Sequence, residues 1–442
     1  MEKDKKNMED NKMEKITSLA KRRGFVYQGS EIYGGLAGTW DFGPLGVMLK
    51  NNIKDAWRKK FVSSRTDMYE VDAAILMSSK VWEASGHVAG FADPMVECSK
   101  CHHRFRTDQL EDTTKCPDCE GALGESRQFN MMFKTQIGAM EDSSATVYLR
   151  PETAQGVFVN FKNVVDSFHP KLPFGIAQIG KAFRNEITPR DFIFRVREFE
   201  QMEVEYFVRP EDWEKHFVYW KDVITEFIDE LGLDMTLVHD IEVGDGDRAH
   251  YSKRTIDVEF EYPFGQKELL GLAYRGSFDL DNHKLDYIDE EAGGKIVPHV
   301  IEPSMGVDRM MFALLVSAYK EDIQNEEIRS YLAFKPHMAP VICAVSPLLK
   351  NKPELVKEAH IVYGMLKAEF GRVMWDDNGN IGKRYRRQDE IGTPWCIVID
   401  FDTLGQENPE HKDTVTVRDR DTGMQERIKI IELIDYLKDK LN

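Results

Sequence analysis

Phe183-Arg184-Asn185-Glu186, continuing through Arg195 to Glu203-Val204-Glu205, reads as strand, turn, strand. Ile176, Gln178, Gly180 and Ala182 alternate with other residues ahead of it, and Thr188-Pro189-Arg190-Asp191 has the composition of a hairpin loop. From Phe192 to Phe207 apolar residues interleave with charges, as in a second extended segment. The pattern predicts an antiparallel sheet with Arg184 and Arg195 on neighbouring strands and carboxylates between them. An arginine fork matches phosphate or carboxylate. Two forks and several carboxylates on one sheet floor suit a substrate with phosphates at one end and an ammonium at the other. A network of surface ion pairs is the plainer alternative.

The chain has 442 residues, enough for one large core and a second domain. Its 59 Lys and Arg against 76 Asp and Glu give a formal charge of -17. That argues against a general cationic coat for nucleic acid, and DNA is not an expected partner, but a local basic patch is compatible with it. Residues 1–13 are polar and charged and read as a flexible tail, without the apolar core of a signal peptide. No apolar run reaches the length of a membrane span, so the cytoplasm is the expected location.

Lys15 to Arg23 opens the fold as a short helix ended by Gly24. The glycines that follow lack the lysine and hydroxyl spacing of a phosphate loop. Gly43-Pro44-Leu45-Gly46 leads into a helical pattern through Val47, Ile53 and Trp57. His87 reads as structural or solvated rather than as a reacting group. Cys98-x-x-Cys101 and Cys116-Pro117-Asp118-Cys119 form two knuckles that suit four thiolates around a structural zinc. The charged segment between them has little apolar content, so the metal would supply its folding energy. Four thiolates fill the coordination shell and leave no place for a catalytic water.

Pro151-Glu152 turns into a helix through Phe158 and Val164. Trp213, Phe217, Trp220, Ile224, Phe227, Ile228 and Leu231 form the apolar side of another helix, stopped by Gly232. Ile256 to Phe260 and Glu268 to Gly271 read as strands. Glu302-Pro303-Ser304 precedes Gly306 and an apolar helix, with Arg309 in its first turns. That is the poorer end of a helix for a cation unless a phosphate binds there. Residues 336–340 read as a linker to a mixed α/β domain over 341–442. Its cluster Lys383-Arg384-Tyr385-Arg386-Arg387 suits RNA backbone contact and base stacking, or an ordinary surface patch.

Phe-Arg-Asn-Glu, a short loop, Arg195 and Phe199 resemble the second signature motif of class II aminoacyl-tRNA synthetases. With Arg150-Pro151-Glu152-Thr153-Ala154-Gln155-Gly156 and Ile301-Glu302-Pro303-Ser304-Met305-Gly306-Val307-Asp308-Arg309, the chain resembles the homodimeric, bacterial-type glycyl-tRNA synthetase family from about Ile16 to its C-terminus. One block alone is weak; three in the expected order are specific. The resemblance implies an α+β fold. A class II catalytic domain over 14–335 is built on an antiparallel sheet flanked by helices, with a zinc-knuckle insertion at 93–125. A mixed α/β anticodon-binding domain over 341–442 follows. The implied reaction activates glycine with ATP and magnesium and transfers it to the 3' end of tRNA(Gly), in a homodimer with Pro44 at the interface.

By the same correspondence Arg184 grips the α-phosphate and substrate carboxylate, Arg195 adds positive charge, and Arg309 holds the γ-phosphate side. Phe199 matches the adenine-stacking position, Glu186 the adenine-side carboxylate, and Glu268 a magnesium ligand. Glu152, Glu203, Glu302 and Ser304 match residues that bind the glycine ammonium and close off side-chain space. Lys383, Arg384, Tyr385, Arg386 and Arg387 are the implied tRNA contacts. Two alternatives stand beside this: a class II synthetase for another amino acid, against which Glu152 and Glu302-Pro303-Ser304 argue, and an inactive synthetase-like RNA-binding or polymerase-accessory protein, against which the three motif arginines argue.

Overall fold

The structure, a computed structural model, describes residues 2–138, 146–291, 293–324 and 326–441. Seven strands make the main sheet: β1 (Met68–Glu70), β2 (Phe174–Phe183), β3 (Glu198–Val208), β4 (Val238–Glu242), β5 (Arg254–Tyr262), β6 (Gly265–Gly276) and β7 (His299–Gly306). Their order is β4-β5-β6-β7-β3-β2-β1. β1 runs parallel to β2, and the remaining neighbours are antiparallel.

Strand periodicity explains which residues of β3 build the core. Met202, Val204, Tyr206 and Val208 face the large core, where the Trp213–Leu231 and Val307–Ala318 helices pack. Trp57, Phe61 and Trp220 stack there, with ring centroids 5.4 and 5.7 Å apart. Phe207, on the other face, joins Phe158, Phe161 and Phe174 in a smaller core. Glu203 and Glu205 lie on that same face and are also buried. The Pro44–Arg58 helix approaches the chain ahead of it so closely that a Cβ on Gly46 would sit 1.9 Å from the Phe25 carbonyl oxygen. Gly232, at φ 89°, ends the Trp213–Leu231 helix in the left-handed region.

The C-terminal domain has its own core and a five-stranded sheet. In spatial order its strands are Val373–Trp375, Cys343–Pro347, Trp395–Ile399, Thr414–Asp419 and Gln425–Lys429. Helices Pro353–Phe370, Ile381–Ile391 and Leu433–Leu441 complete it. Among the described residues no helix is long and apolar enough to cross a membrane.

Three local expectations are corrected. The central motif is not a tight hairpin: β2 ends at Phe183 and β3 begins only at Glu198, so Arg184 and Arg195 lie in the connection rather than on strands. Asp191 and Phe192 both adopt positive φ, 61° and 58°, which breaks the extended path where the second strand was expected. The first helix spans Glu2–Arg22, covering most of the stretch read as a tail. Val47 is 46% exposed, and the buried stripe of its helix instead follows Leu45, Leu49, Ile53 and Trp57 at four-residue spacing.

Candidate active site, thiolate knuckles and basic helix

β3, β7 and β6 form the floor of a cavity of about 310 Å³. Their register places Glu203 beside Ser304 and Ser304 beside Gly271. Glu152, Arg184, Glu186, Arg195, Phe199 and Glu203 line it, as do Glu268, Glu302, Ser304 and Arg309. The structure thus brings all ten sequence-read substrate residues to one place. The three arginines and three buried glutamates form separate groups, with Glu186 and Glu268 among the arginines. Arg309, Arg184 and Arg195 together act on Glu268. Glu152, Glu203 and Glu302 act on one another.

The carboxylate set is almost fully buried. Glu203 Oε1 accepts from Ser304 Oγ at 2.7 Å and from Gln201 Nε2 at 2.9 Å, and Oε2 accepts from the Thr153 amide at 3.0 Å and from the Thr153 hydroxyl. Burial and the neighbouring Glu152 raise its pKa against those hydrogen bonds. Glu152 lies 3.2 Å from His87 Nε2 and accepts from Gln155 Nε2 at 3.2 Å. Burial opposes its ionisation, but His87, Arg275 and Gln155 hold its carboxyl well below the usual range. His87 itself is anchored through Nδ1 to Ser85 Oγ at 2.8 Å and reaches the cavity only through Glu152, not being among its lining residues. Glu302 Oε1 accepts from Arg275 Nη1 at 2.7 Å. Arg275, 1% exposed, also donates to both oxygens of Asp279, at 2.7 and 2.9 Å, and lies 3.7 Å over the Tyr251 ring.

The guanidinium set is held more loosely. Arg184 Nε donates to the Pro151 carbonyl at 3.0 Å, and its guanidinium faces the rings of Phe91 and Phe199, each at 5.4 Å. Neither Nη atom of Arg184 has a hydrogen-bond partner among the described residues, so a fork is left for an anion. Among the described residues the one ion pair of the Arg195 guanidinium is with Glu186, at 3.9 Å. Arg309 pairs with Glu268 at 3.1 Å over the Phe194 ring. Arg309 in turn lowers the Glu268 pKa. Burial, with Glu268 and Glu259 nearby, pushes the cavity-lining Asp257 up to about 7.

Arg197, which sequence reading did not single out, fixes the connection that carries Arg184 and Arg195. It donates to the Glu186 carbonyl at 3.0 Å and to the Ala37 carbonyl at 2.7 Å. Gln201, Asp257, Arg275, Asp279 and Asp308 were likewise missed. Arg275 had a usable signal: it follows the apolar run Leu269–Tyr274 of β6, and a cation that continues such a run into the core needs carboxylate partners. Asp308 accepts from Lys50 Nζ at 2.7 Å, tying the Val307–Ala318 helix to the Pro44–Arg58 helix.

The cysteine knuckles hang from a three-stranded sheet of Ala92–Glu97, Arg104–Arg106 and Arg127–Asn130. The four Sγ atoms all lie within 4.8 Å of one another, with Cys98 to Cys119 at 3.5 Å and Cys101 to Cys116 at 3.6 Å. Tetrahedral zinc with its usual zinc–sulfur bonds spaces thiolates by about 3.8 Å. Backbone amides of Lys100 and Cys101 aim at Cys98 Sγ from 3.4 and 3.5 Å. The donor set therefore fits a structural zinc. The module also touches the catalytic connection: Thr188 Oγ1 donates to the Arg104 carbonyl at 3.2 Å, and Arg190 to Gln109 at 3.0 Å.

The basic cluster of the C-terminal domain lies on the Ile381–Ile391 helix, whose periodicity divides it. Lys383 is exposed, whereas Arg384 is 3% exposed and donates to the carbonyls of Pro347, Asp377 and Gly379. Arg384 is thus a buried strut, which corrects its expected placement on an RNA-facing surface. Tyr385 packs under the Arg418 guanidinium at 4.7 Å. Arg386 pairs with Glu327 at 2.8 Å and Arg387 with Asp376 at 2.6 Å.

Comparison with known proteins agrees with this layout. The model described as the tRNA synthetase class II core domain (G, H, P, S and T) matches residues 133–318, and an anticodon binding domain model matches residues 342–440. The glycine–tRNA ligase of Clostridium acetobutylicum is 47% identical over 98% of this chain and 100% of its own length. That of Lachnospira eligens is 48% identical over 97% of this chain and 98% of its own. That of Bacillus thuringiensis subsp. konkukian is 47% identical over 97% and 99%. With the synthetase core over the cavity and identity of this depth along nearly the whole length, the chain belongs to the glycine–tRNA ligase family of class II aminoacyl-tRNA synthetases.

Proposed function

We propose that the cavity binds glycine and ATP in line, joins them as glycyl-adenylate with release of pyrophosphate, and passes the glycyl group to tRNA(Gly) with release of AMP. The observation that carries this reading is the division of one cavity into a guanidinium set and a buried carboxylate set. The substrate carboxylate is the nucleophile toward the α-phosphate, so no enzyme nucleophile is needed. Arg184 grips the α-phosphate and the glycine carboxylate together, Arg195 adds charge, and Arg309 holds the γ-phosphate side, stabilising the charge that develops. Phe199, already faced by the Arg184 guanidinium, offers its ring to adenine, with Glu186 at the adenine edge. Magnesium bound with ATP would add Lewis-acid charge at the phosphates, and Glu268, with Asp257 beside it, would be the carboxylate to hold it.

Glu152, Glu203, Glu302 and Ser304 receive the ammonium. Ser304 and Glu203 are hydrogen-bonded across the ladder, so the wall is rigid where a substrate side chain would project. The terminal adenosine hydroxyl of tRNA then attacks the activated carbonyl. The test is ATP-dependent attachment of labelled glycine to tRNA(Gly) by the purified chain. Attachment sensitive to mild alkali, as an ester is, is expected; no attachment contradicts the proposal.

The same proposal takes the protein as a cytoplasmic homodimer with the Gly43-Pro44-Leu45-Gly46 segment near the twofold interface, and the four thiolates as a zinc site. Elemental analysis of reduced protein is expected to find about one zinc per chain. Cys116→Ser should release the zinc and unfold the knuckles locally; freshly prepared protein free of zinc would contradict this.

The basic helix is proposed to face tRNA through Lys383, Arg386 and Arg387, with Arg384 and Tyr385 holding the helix in place. The double variant Lys383→Ala/Arg386→Ala should weaken tRNA binding, flatten its salt dependence and leave pyrophosphate exchange intact. Arg384→Ala should instead lower the stability of the domain. Unchanged tRNA affinity and salt slope in the double variant would count against this surface.

A further inference from the structure

Glu205 is 0% exposed, and neither of its carboxylate oxygens has a hydrogen-bond partner among the described residues. It follows Glu203 on the same face of β3. The register that sets Glu203 against Ser304 and Tyr206 against Ile301 brings Glu205 across from Glu302 on β7. On its other side the neighbour in β2 is Ile176, which is apolar. The charges that reach Glu205 are Glu302 from β7, Arg275 from β6, Glu203 from its own strand and Asp279 from the Phe278–His283 helix. Arg275 makes no hydrogen bond to it: that guanidinium donates to Asp279 through Nε and Nη2 and to Glu302 through Nη1.

An ionised carboxylate buried without a partner is strongly disfavoured, and two ionised carboxylates across a ladder repel. A neutral acid at this position removes both penalties, provided that its proton finds an acceptor. Glu302 uses Oε1 for Arg275, and Oε2 has no hydrogen-bond partner among the described residues. We propose that Glu205 is a positioning residue for the glycine site, a neutral acid that donates its proton to Glu302 and so fixes that carboxylate between itself and Arg275. The assignment rests on the reading of Glu302 as an ammonium ligand. Burial and the neighbouring carboxylates raise the pKa of both groups, which favours the shared proton and places its loss toward alkaline pH.

The test uses the full chain with Glu205→Gln and Glu205→Leu, reading pyrophosphate exchange and unfolding. Glutamine keeps a donor toward Glu302, and glycine KM should stay within about threefold of wild type. Leucine removes the donor, and glycine KM should rise at least about tenfold with ATP KM unchanged. Unfolding recorded on the same variant separates a loss of fold from a loss of glycine affinity. In wild type, glycine KM should climb at alkaline pH as the shared proton leaves. Glu205→Gln should show only the climb due to deprotonation of glycine itself. An unchanged glycine KM in Glu205→Leu, an equal loss in Glu205→Gln, or an alkaline climb identical to wild type in Glu205→Gln overturns the assignment. Should Glu205→Leu fail to fold, the pH profile of Glu205→Gln decides alone. A wild-type chain without glycine-dependent exchange would instead overturn the functional reading itself.

Discussion

Arg309→Ala is expected to cut glycine-dependent pyrophosphate exchange by about two to three orders of magnitude while the protein stays folded. Arg309 sits in the first turn of the Val307–Ala318 helix, where the helix dipole disfavours a cation. Its anchors are the half-exposed Glu268, at 3.1 Å, and the face of Phe194. Removing it therefore costs the fold little, because an ion pair this exposed contributes only about 0–1 kcal/mol. The loss falls on the transition state, where phosphate charge would meet no fork at this end of the cavity. Arg309→Lys should recover only part of the rate, since an ammonium restores charge but not the two-pronged geometry. Exchange within about threefold of wild type in folded Arg309→Ala protein would remove the residue from the mechanism.

Arg275→Met should have the opposite profile, with a large loss of stability. Arg275 is 1% exposed and bound to Asp279 and Glu302, with Glu205 and Tyr251 also within its electrostatic reach. Methionine fills a similar volume but leaves Asp279 and Glu302 buried without their cation. Removal of one member of a buried pair costs about 3–5 kcal/mol. Urea unfolding should show a midpoint reduced accordingly, and Asp279→Asn in the same background should restore part of it. Glycine activation should fall too, because Glu302 loses the group that holds Oε1. An unfolding midpoint equal to that of wild type would show that the carboxylates are neutralised in some other way.

The site was legible where chemistry and local pattern coincide. Phe183–Glu186, Glu302–Ser304 and Arg309 are short contiguous blocks whose residue types already suggest phosphate and ammonium binding, and they meet in one cavity. The four cysteines were legible for the same reason, since two tight knuckles need only be brought together. What sequence pattern could not resolve was the path between β2 and β3. Extended and looped residues share the same alternation there, and the positive φ at Asp191 and Phe192 leaves no glycine as a marker. The basic helix failed differently: charge count treats Arg384 as surface, whereas helical phase turns it inward onto three carbonyls. The roles of Arg275 and Glu205 were hidden for a third reason, although Arg275 closes an apolar run and Glu205 follows Glu203 in the quoted stretch. The meaning of each comes from partners across the sheet or on another element, which the local pattern does not name.

On the proposed function, the buried carboxylates select an amino acid by its ammonium and by the absence of a side chain. Pyrophosphate exchange measured with each of the twenty amino acids in turn, at equal concentration with ATP and magnesium, tests it most directly. Strong exchange is expected with glycine, and little above background with alanine or serine. Exchange with alanine matching that with glycine, or none with glycine, would contradict it.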